Sequence, residues 1–515
     1  MLSGRSKALL KFELRNLEEL KHLPKAELDQ KLQDYGASWK TKPMHHQKVG
    51  LLAGLMYPGV YFIYDPGLGK SKLVLDILLT RRDQVRKCLV LVPGVSNIGA
   101  WLDEIKIHAP GLSAIGFYEM SKDEKRAAIE DDHDVVIMTY MGWISLLGMR
   151  SKKGRREFDF DHMDSIEKLF QMVVWDEADA LKSKASLSFR AAERLSQHAR
   201  YRYALSGIPF GKNPADLWSQ FYLLDFGEAL GGSLTLFRKA FCKAKFNPWS
   251  GGFDYKFKQR CAKELSTRIK HTAVLFSEGE CFELPETIGG LVSPSFMIRS
   301  VPFPVENKRY YEEVIKELRG SKDKRLINNI YIQLRQIAAG FIPIVDNNVR
   351  VNLFFDTNPK MEALLGLLAE IPEQHKVLVF NEFRVSGKLI CDRLSKARYS
   401  NVRIYSETPN KIETLQDFKT NPETRILVGS RSVCYGLNLQ VANHLIVFES
   451  PDSVIKRTQL EHRIRRFGQT RTSFIYDVVV KDSIDAKILA SLRDGKSLVE
   501  QLLSSDDPLS VLATA

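Results

Sequence analysis

The chain has 515 residues, 44% hydrophobic and 27% charged, with a formal net charge of +13. That size and balance suit a globular protein of several domains, and "MLSGRSKALLKFELRN" breaks every apolar run with charge, so no signal or membrane-spanning segment is read at the start. Six cysteines without a close pair (Cys88, Cys242, Cys261, Cys281, Cys391, Cys434) argue against a zinc site or disulfide framework and fit a reducing, intracellular compartment, while the basic balance is compatible with a nucleic-acid partner.

Residues 1 to 40 read as helical and charged, with apolar positions at Leu17, Leu20, Leu23 and Leu28. From Tyr61 short apolar runs alternate with longer amphipathic segments: "YFIY" at 61, "CLVLVP" at 88, "DVVIMTY" at 134, "MVVWDE" at 172 and "YRYALSG" at 201. Strands spaced by helical patterns predict a parallel sheet covered by helices. The basic run "MRSKKGRREF" near 150 reads as a solvated loop. Between Asn213 and Leu353 the rhythm lapses into segments that read as mainly helical, then returns with "KVLVFNEF" at 376, "NVRIYSE" at 401, "TRILVGS" at 424, "NHLIVFES" at 443 and "TSFIYDVVV" at 472. The expected architecture is α/β, with two parallel-sheet lobes and helical insertions between them.

The chemistry concentrates at two places in the first lobe. In "YFIYDPGLGKSKLVLDILL" a strand, a glycine turn and a helix follow one another. Gly67 and Gly69 would let backbone amides converge on a phosphate at the helix N-terminus; Lys70 would add a charge for the β and γ phosphates, and Ser71 a hydroxyl for Mg²⁺. The general phosphate-loop pattern wants a glycine where Tyr64 stands, so an ordinary strand-to-helix turn is an equal reading of this segment alone. "MVVWDEADALKS" then ends an apolar run in Asp176-Glu177. Asp176 could hold the Mg²⁺ that bridges the phosphates, and Glu177 could orient and deprotonate the attacking water. Paired carboxylates at a strand end are common as plain surface; beside an upstream Gly-Lys-Ser they favour an NTPase.

Asp176-Glu177-Ala178-Asp179 spells the box of DEAD-type superfamily-two helicases, whose phosphate loop does without the early glycine. The surrounding words resemble the Swi/Snf branch of double-stranded DNA translocases. "MHHQKVGLLAG" resembles its adenine-reading segment, with Gln47 as the glutamine; "LVLVPGVSNIGAWLDEIKIHAP" resembles its motif ending in Trp-x-x-Glu and Pro; "RYALSGIPF" resembles Leu-Thr-Gly-Thr-Pro, with Ser206 and Ile208 for threonines. Asp179 departs from the branch, which usually has His there. In the second lobe "QLEHRIRRFGQ" matches every fixed position of the family's arginine-finger motif. Arg463 and Arg466, three apart, are expected to share a helix face; alone they would read as a salt-bridged surface helix. "LVGSRSVCYGLNLQVANHLIVFESP" resembles the motif carrying Ser430, Arg431, Gly436 and Asn438, with Val433-Cys434 where a glycine pair is usual.

The resemblance implies two RecA-like lobes with ATP in the cleft between them and Mg²⁺ as cofactor. It carries catalytic roles to Lys70, Asp176, Glu177, Arg463 and Arg466, nucleotide contacts to Gln47, Gly67, Gly69, Lys70, Ser71 and Gly436, and metal contacts to Ser71 and Asp176. Contacts to the phosphate backbone of double-stranded DNA fall on Pro93, Thr139, Ser430 and Arg431. The implied divisions are an N-terminal helical segment (1–43), the first lobe (44–225), a helical protrusion and linker region (226–355), the second lobe (356–482) and a bracing helix and tail (483–515). The implied place is inside the cell, cytoplasmic or associated with the nucleoid or nucleus, with protein partners unassigned. A strand-separating DNA or RNA helicase, the motor of a defence or restriction complex and a non-catalytic scaffold are the alternatives; the intact Lys70, Asp176, Glu177, Arg463 and Arg466 speak against the last.

Overall fold

The computed structural model describes residues 14–118, 120–152, 155–158, 164–207, 216–247, 252–318, 323–346, 349–405, 408, 410–430, 437–505 and 507–513. The chain divides into two compact lobes, Met1–Glu283 and Leu284–Ala515.

The first lobe is built on seven strands, β1 (Gly59–Tyr64), β2 (Cys88–Val92), β3 (Ala114–Gly116), β4 (Val135–Thr139), β5 (Met172–Asp176), β6 (Tyr201–Ser206) and β7 (Ala273–Phe276). They pair in the order β7-β1-β6-β5-β2-β4-β3, every pairing parallel. β2 is buried along its whole length, as is β4 as far as Met138, the signature of a parallel sheet covered on both faces. The alternation of side chains sorts the residues into two cores. Tyr61, Ile63, Leu89 and Leu91 enter one, and Val60, Phe62, Tyr64, Cys88 and Val90 the other. Because all strands run the same way, their C-terminal ends (Tyr64, Val92, Thr139, Asp176, Ser206) lie along one edge of the sheet, where open α/β folds place their ligands.

The second lobe repeats the design with β8 (Thr287–Ile288), β9 (Met297–Val301), β10 (Lys376–Phe380), β11 (Asn401–Ile404), β12 (Ile426–Gly429), β13 (Ala442–Val447) and β14 (Ser473–Val480). The order is β8-β14-β13-β10-β12-β11, with β9 continuing the β8 position along β14, and again every pairing is parallel. One core of this lobe joins helices Val305–Lys316, Lys324–Ala339 and Ile484–Arg493 through Tyr311, Val314, Leu334, Ile337, Ile484 and Ile488. Both lobes are therefore RecA-like α/β units. Among the described residues no helix is long and apolar enough to cross a membrane.

The segment 226–355 differs from the expected helical region. Its first part belongs to the first lobe and supplies edge strand β7; its last part belongs to the second and supplies β8 and β9. It also carries two antiparallel hairpins, Cys242–Asn247 with Gly252–Phe257 and Phe341–Asp346 with Val349–Phe354. Strands of two to six residues give too few alternations to stand out against flanking helical patterns. The basic run near 150 likewise holds a short hairpin, Met149–Lys152 with Arg155–Phe158.

Candidate nucleotide-binding site

The loop after β1 turns because Gly67 (φ 92°) and Gly69 (φ 71°) take left-handed conformations open to few other residues. Gly69 caps helix α1 (Lys70–Thr80). A Cβ at Gly69 would also lie 2.3 Å from Gln47 Nε2, so its bare backbone is what lets the glutamine approach. Gln47 lies in the first turn of the preceding helix, His45–Met56. Its Nε2 donates to the Leu68 carbonyl (3.3 Å) while its Oε1 accepts from the Met44 amide (3.0 Å). His46 Nε2 reaches the same Leu68 carbonyl at 3.0 Å, with burial holding its imidazole below the usual range and hence neutral. The Tyr64 hydroxyl donates to the His46 carbonyl at 3.0 Å. The residue that replaces the early glycine is thus a clamp between loop and glutamine segment.

Lys70 Nζ donates to the carbonyls of Tyr64 (2.8 Å) and Asp65 (3.4 Å), at the C-terminal end of β1. Ser71 follows in the first turn of α1, half-buried. Two strands away in the sheet, β5 ends in Asp176. Its Oδ2 accepts from Trp101 Nε1 (3.0 Å), its Oδ1 from the Glu177 amide (3.1 Å), and its carbonyl from the Tyr140 hydroxyl (2.9 Å). Burial first, then the charge of Glu177, push the Asp176 carboxyl above the usual range, opposed by the Trp101 bond and Lys70. Asp179 is pushed up to about 7 by burial and then by Glu177. Glu177 itself sits at φ 49°, a left-handed conformation that costs a non-glycine residue about 1 kcal/mol or more. Crowded carboxylates at a partly desolvated strand end are an environment that a cation relieves.

The donor set suits Mg²⁺. Among the described residues no group of three or more His, Cys, Asp or Glu could hold a metal alone. A hard cation that keeps waters and takes phosphate oxygens needs only one carboxylate and a hydroxyl from the protein, and Asp176 and Ser71 offer these. The Ser206-Gly207 turn after β6 closes the same edge: a Cβ on Gly207 would come within 2.9 Å of Pro66 Cδ.

Trp101, Tyr140 and His46 escaped the reading of the sequence as site residues. The signal for Trp101 was present, since it opens the Trp-x-x-Glu word in helix Val95–His108, but its indole donor becomes meaningful only beside Asp176. Pro93 follows β2 and Thr139 ends β4, on neighbouring strands. Thr139 Oγ1 accepts from the Gly142 amide (2.9 Å) and so caps the next helix. In the second lobe Ser430 follows β12 and is half-buried; Arg431 and Gly436, with Val433 and Cys434, lie outside the described residues.

The arginines do not share a helix face. Helix Val454–Glu461 stops before them and the chain continues in turns. Arg463 ends it: its Nε donates to the Gln459 carbonyl (3.0 Å), replacing the amide bond of a further helical turn, and one Nη donates to Leu437 (3.1 Å). Arg463 is buried, whereas Arg466 is half-buried and bonds to the Asn438 side chain. Beneath them Arg457 is fully buried, paired with both Asp477 oxygens (2.6 and 2.8 Å) and with Glu461 (2.6 Å).

Residues 38–337 match the SNF2-related domain and residues 359–470 the helicase conserved C-terminal domain. The chain is 25% identical over 470 residues to a putative ATP-dependent helicase/translocase, YwqA, of Bacillus subtilis, covering 87% of this chain and 47% of that protein. It is 26% identical over 460 residues to the Zorya protein ZorD of Escherichia coli, covering 81% and 40%. It spans less than half the length of either. Among solved structures, the Sulfolobus solfataricus SWI2/SNF2 ATPase core in complex with dsDNA aligns over 92% of this chain and 95% of that chain at 22% identity, with a TM-score of 0.40. With more than half of its length matching the SNF2-related domain and the helicase C-terminal domain after it, the chain belongs to the SNF2-related family of superfamily-two ATPases.

Proposed function

We propose that this chain couples ATP hydrolysis to movement along double-stranded DNA, gripping phosphates and leaving the strands paired. The observation that carries the reading is the C-terminal edge of the first sheet: Lys70 follows a glycine loop bonded to Gln47, and at the end of β5 Asp176, within reach of the Lys70 charge, accepts from the Glu177 amide. ATP phosphates would take the amides of Gly67 to Lys70 and the N-terminus of α1, with Lys70 exchanging its carbonyl partners for phosphate oxygens. Ser71 and Asp176 would hold Mg²⁺, which when bound offsets phosphate charge. Glu177 orients the attacking water and accepts its proton. Arg466 supplies positive charge to the transferring phosphoryl group, and Arg463, bound to Gln459 and Leu437, positions the segment that carries it.

DNA as the track is supported by the net charge of +13, by family membership and by the helicase/translocase name of a relative. Grip through phosphates makes stimulation sequence-tolerant and steeply salt-dependent. The test is ATP turnover with duplex DNA, single-stranded DNA, branched DNA and RNA, alongside the Glu177→Gln variant. Duplex DNA should stimulate the parent, while Glu177→Gln should retain ATP binding and lose turnover by about 10²-fold or more. Equal turnover by the variant removes Glu177 from the mechanism, and stimulation by RNA alone removes the DNA track.

A further inference from the structure

The hairpin Cys242–Asn247/Gly252–Phe257 takes no part in the nucleotide site, yet it has two chemically distinct faces. Its register pairs Phe246 with Phe253, Ala244 with Tyr255 and Cys242 with Phe257 on one face and Lys243 with Lys256 on the other, and sets Lys245 across from Asp254. The aromatic face begins in the core of the first lobe, where Cys242 is buried and Tyr255 and Phe257 pack against it. The Arg238 guanidinium lies 4.3 Å from the Tyr255 ring centroid and stiffens the base. Farther out, Phe246 and Phe253 meet edge to face at 5.6 Å, yet remain 56% and 57% exposed.

That arrangement works against an isolated protein in two ways. Two large rings stay in water, and Lys243 faces Lys256 directly across the ladder, a like-charge pair that destabilises a hairpin. Among the described residues neither lysine has an ion-pair partner, whereas neighbouring Lys258 is committed to the carbonyls of Lys239 (2.7 Å) and Ala240 (3.0 Å). A polyanion with flat apolar faces relieves both: its phosphates offset the lysines and its bases stack on the rings. Protein interfaces are depleted of lysine, which disfavours a protein as the occupant.

We infer that this hairpin is a nucleic-acid contact of the motor, with Phe246 and Phe253 stacking an unpaired base and Lys243 and Lys256 holding the adjoining phosphates. Bases inside an intact duplex are already stacked, so the ligand is DNA with an unpaired base next to duplex, as at a junction or a gap. The inference rests on the proposed DNA track and adds to it a preference among DNA structures.

The experiment uses the full chain without nucleotide at fixed salt. Binding is measured by anisotropy on a blunt duplex and on a branched duplex of equal length with 2-aminopurine unpaired at the branch. The parent should bind the branched form about tenfold tighter and quench the 2-aminopurine. The double variant Phe246→Ala/Phe253→Ala should lose both the preference and the quenching while matching the parent on blunt duplex. Lys243→Gln/Lys256→Gln should weaken binding to both forms and lower the salt slope by about 2. A Phe variant with unchanged preference and quenching overturns the inference and leaves the aromatic face to a protein partner. Duplex-stimulated ATP turnover reports separately: its absence in the parent defeats the translocase reading, whereas its presence beside an unchanged Phe variant defeats only the hairpin.

Discussion

Asp176 is the residue on which the hydrogen bonds at the end of β5 converge. Trp101 fixes one carboxylate oxygen, the Glu177 amide the other, and Tyr140 holds the backbone beneath. An outer partner of a metal-binding carboxylate sets its direction, and removal of such partners elsewhere costs about 10–100-fold in metal affinity or activity. Trp101→Phe keeps an aromatic ring but deletes the N–H and leaves a smaller side chain, so apparent Mg²⁺ affinity in ATP turnover should fall about tenfold, beside a drop in melting temperature from the lost packing. Unchanged Mg²⁺ dependence would reduce Trp101 to a packing residue. A second residue-scale consequence lies in the other lobe. His444 is stacked on Phe474 (5.0 Å between centroids) and bonded to His375 (2.9 Å), an arrangement that requires an unprotonated nitrogen. Burial, then His375 and nearby arginines, lower its pKa from 6.5 to about 4. Because the folded value lies below the unfolded one, the unfolded chain takes up the proton first as pH falls. Stability is therefore intact above pH 6.5 and is lost progressively toward pH 4, by about 1–2 kcal/mol at pH 5 after allowance for partial solvation. Urea midpoints at pH 7 and pH 5 should show this, and His444→Phe should remove most of the difference; an equal slope in the variant would place the pH dependence elsewhere.

Among elements, the segment after helix Val454–Glu461 separates two arginines that the sequence presents as equivalent. Arg463 is buried, closes the helix and ties it to Leu437, while Arg466 reaches Asn438 from a half-buried position. Arg463→Ala should therefore lower the melting temperature as well as turnover, by the cost of leaving buried carbonyls unpaired, about 1–3 kcal/mol. Arg466→Lys should fold and bind ATP as the parent does yet lose turnover on the order of 10³-fold, because an ammonium cannot reproduce the planar fork. A loss confined to the Michaelis constant for ATP would rule out a transition-state role for Arg466. The motif is read from its resemblance to the family, whereas the helix end is not legible in the sequence: it is set by the Arg463 side chain capturing the Gln459 carbonyl, which no periodicity encodes. The central strands of both lobes were legible, since long buried parallel strands write continuous apolar runs. Edge strand β7 and the hairpin at 242–257 were not, because four to six residues beside amphipathic helices carry almost no period of their own. The roles of Trp101 and Tyr64 depended on contacts that only the folded sheet creates.

Each lobe builds its own parallel sheet and cores, and the words read from the sequence fall at strand ends in the first lobe, and after β12 and after helix Val454–Glu461 in the second. The family models match residues 38–337 and 359–470, so the machinery of an SNF2-related ATPase is distributed through both lobes. We propose that this machinery drives movement along duplex DNA without parting it. Strand separation would oppose stacking of about 1.4 kcal/mol per base-pair step, a cost that tracking along phosphates avoids. The most direct measurement pairs two substrates under one ATP concentration: a third strand laid on long duplex as a triplex, and a tailed duplex of ordinary length. ATP-dependent displacement of the third strand, abolished by Glu177→Gln, is expected, while the tailed duplex stays annealed. Efficient unwinding of the tailed duplex with the triplex left intact would contradict it.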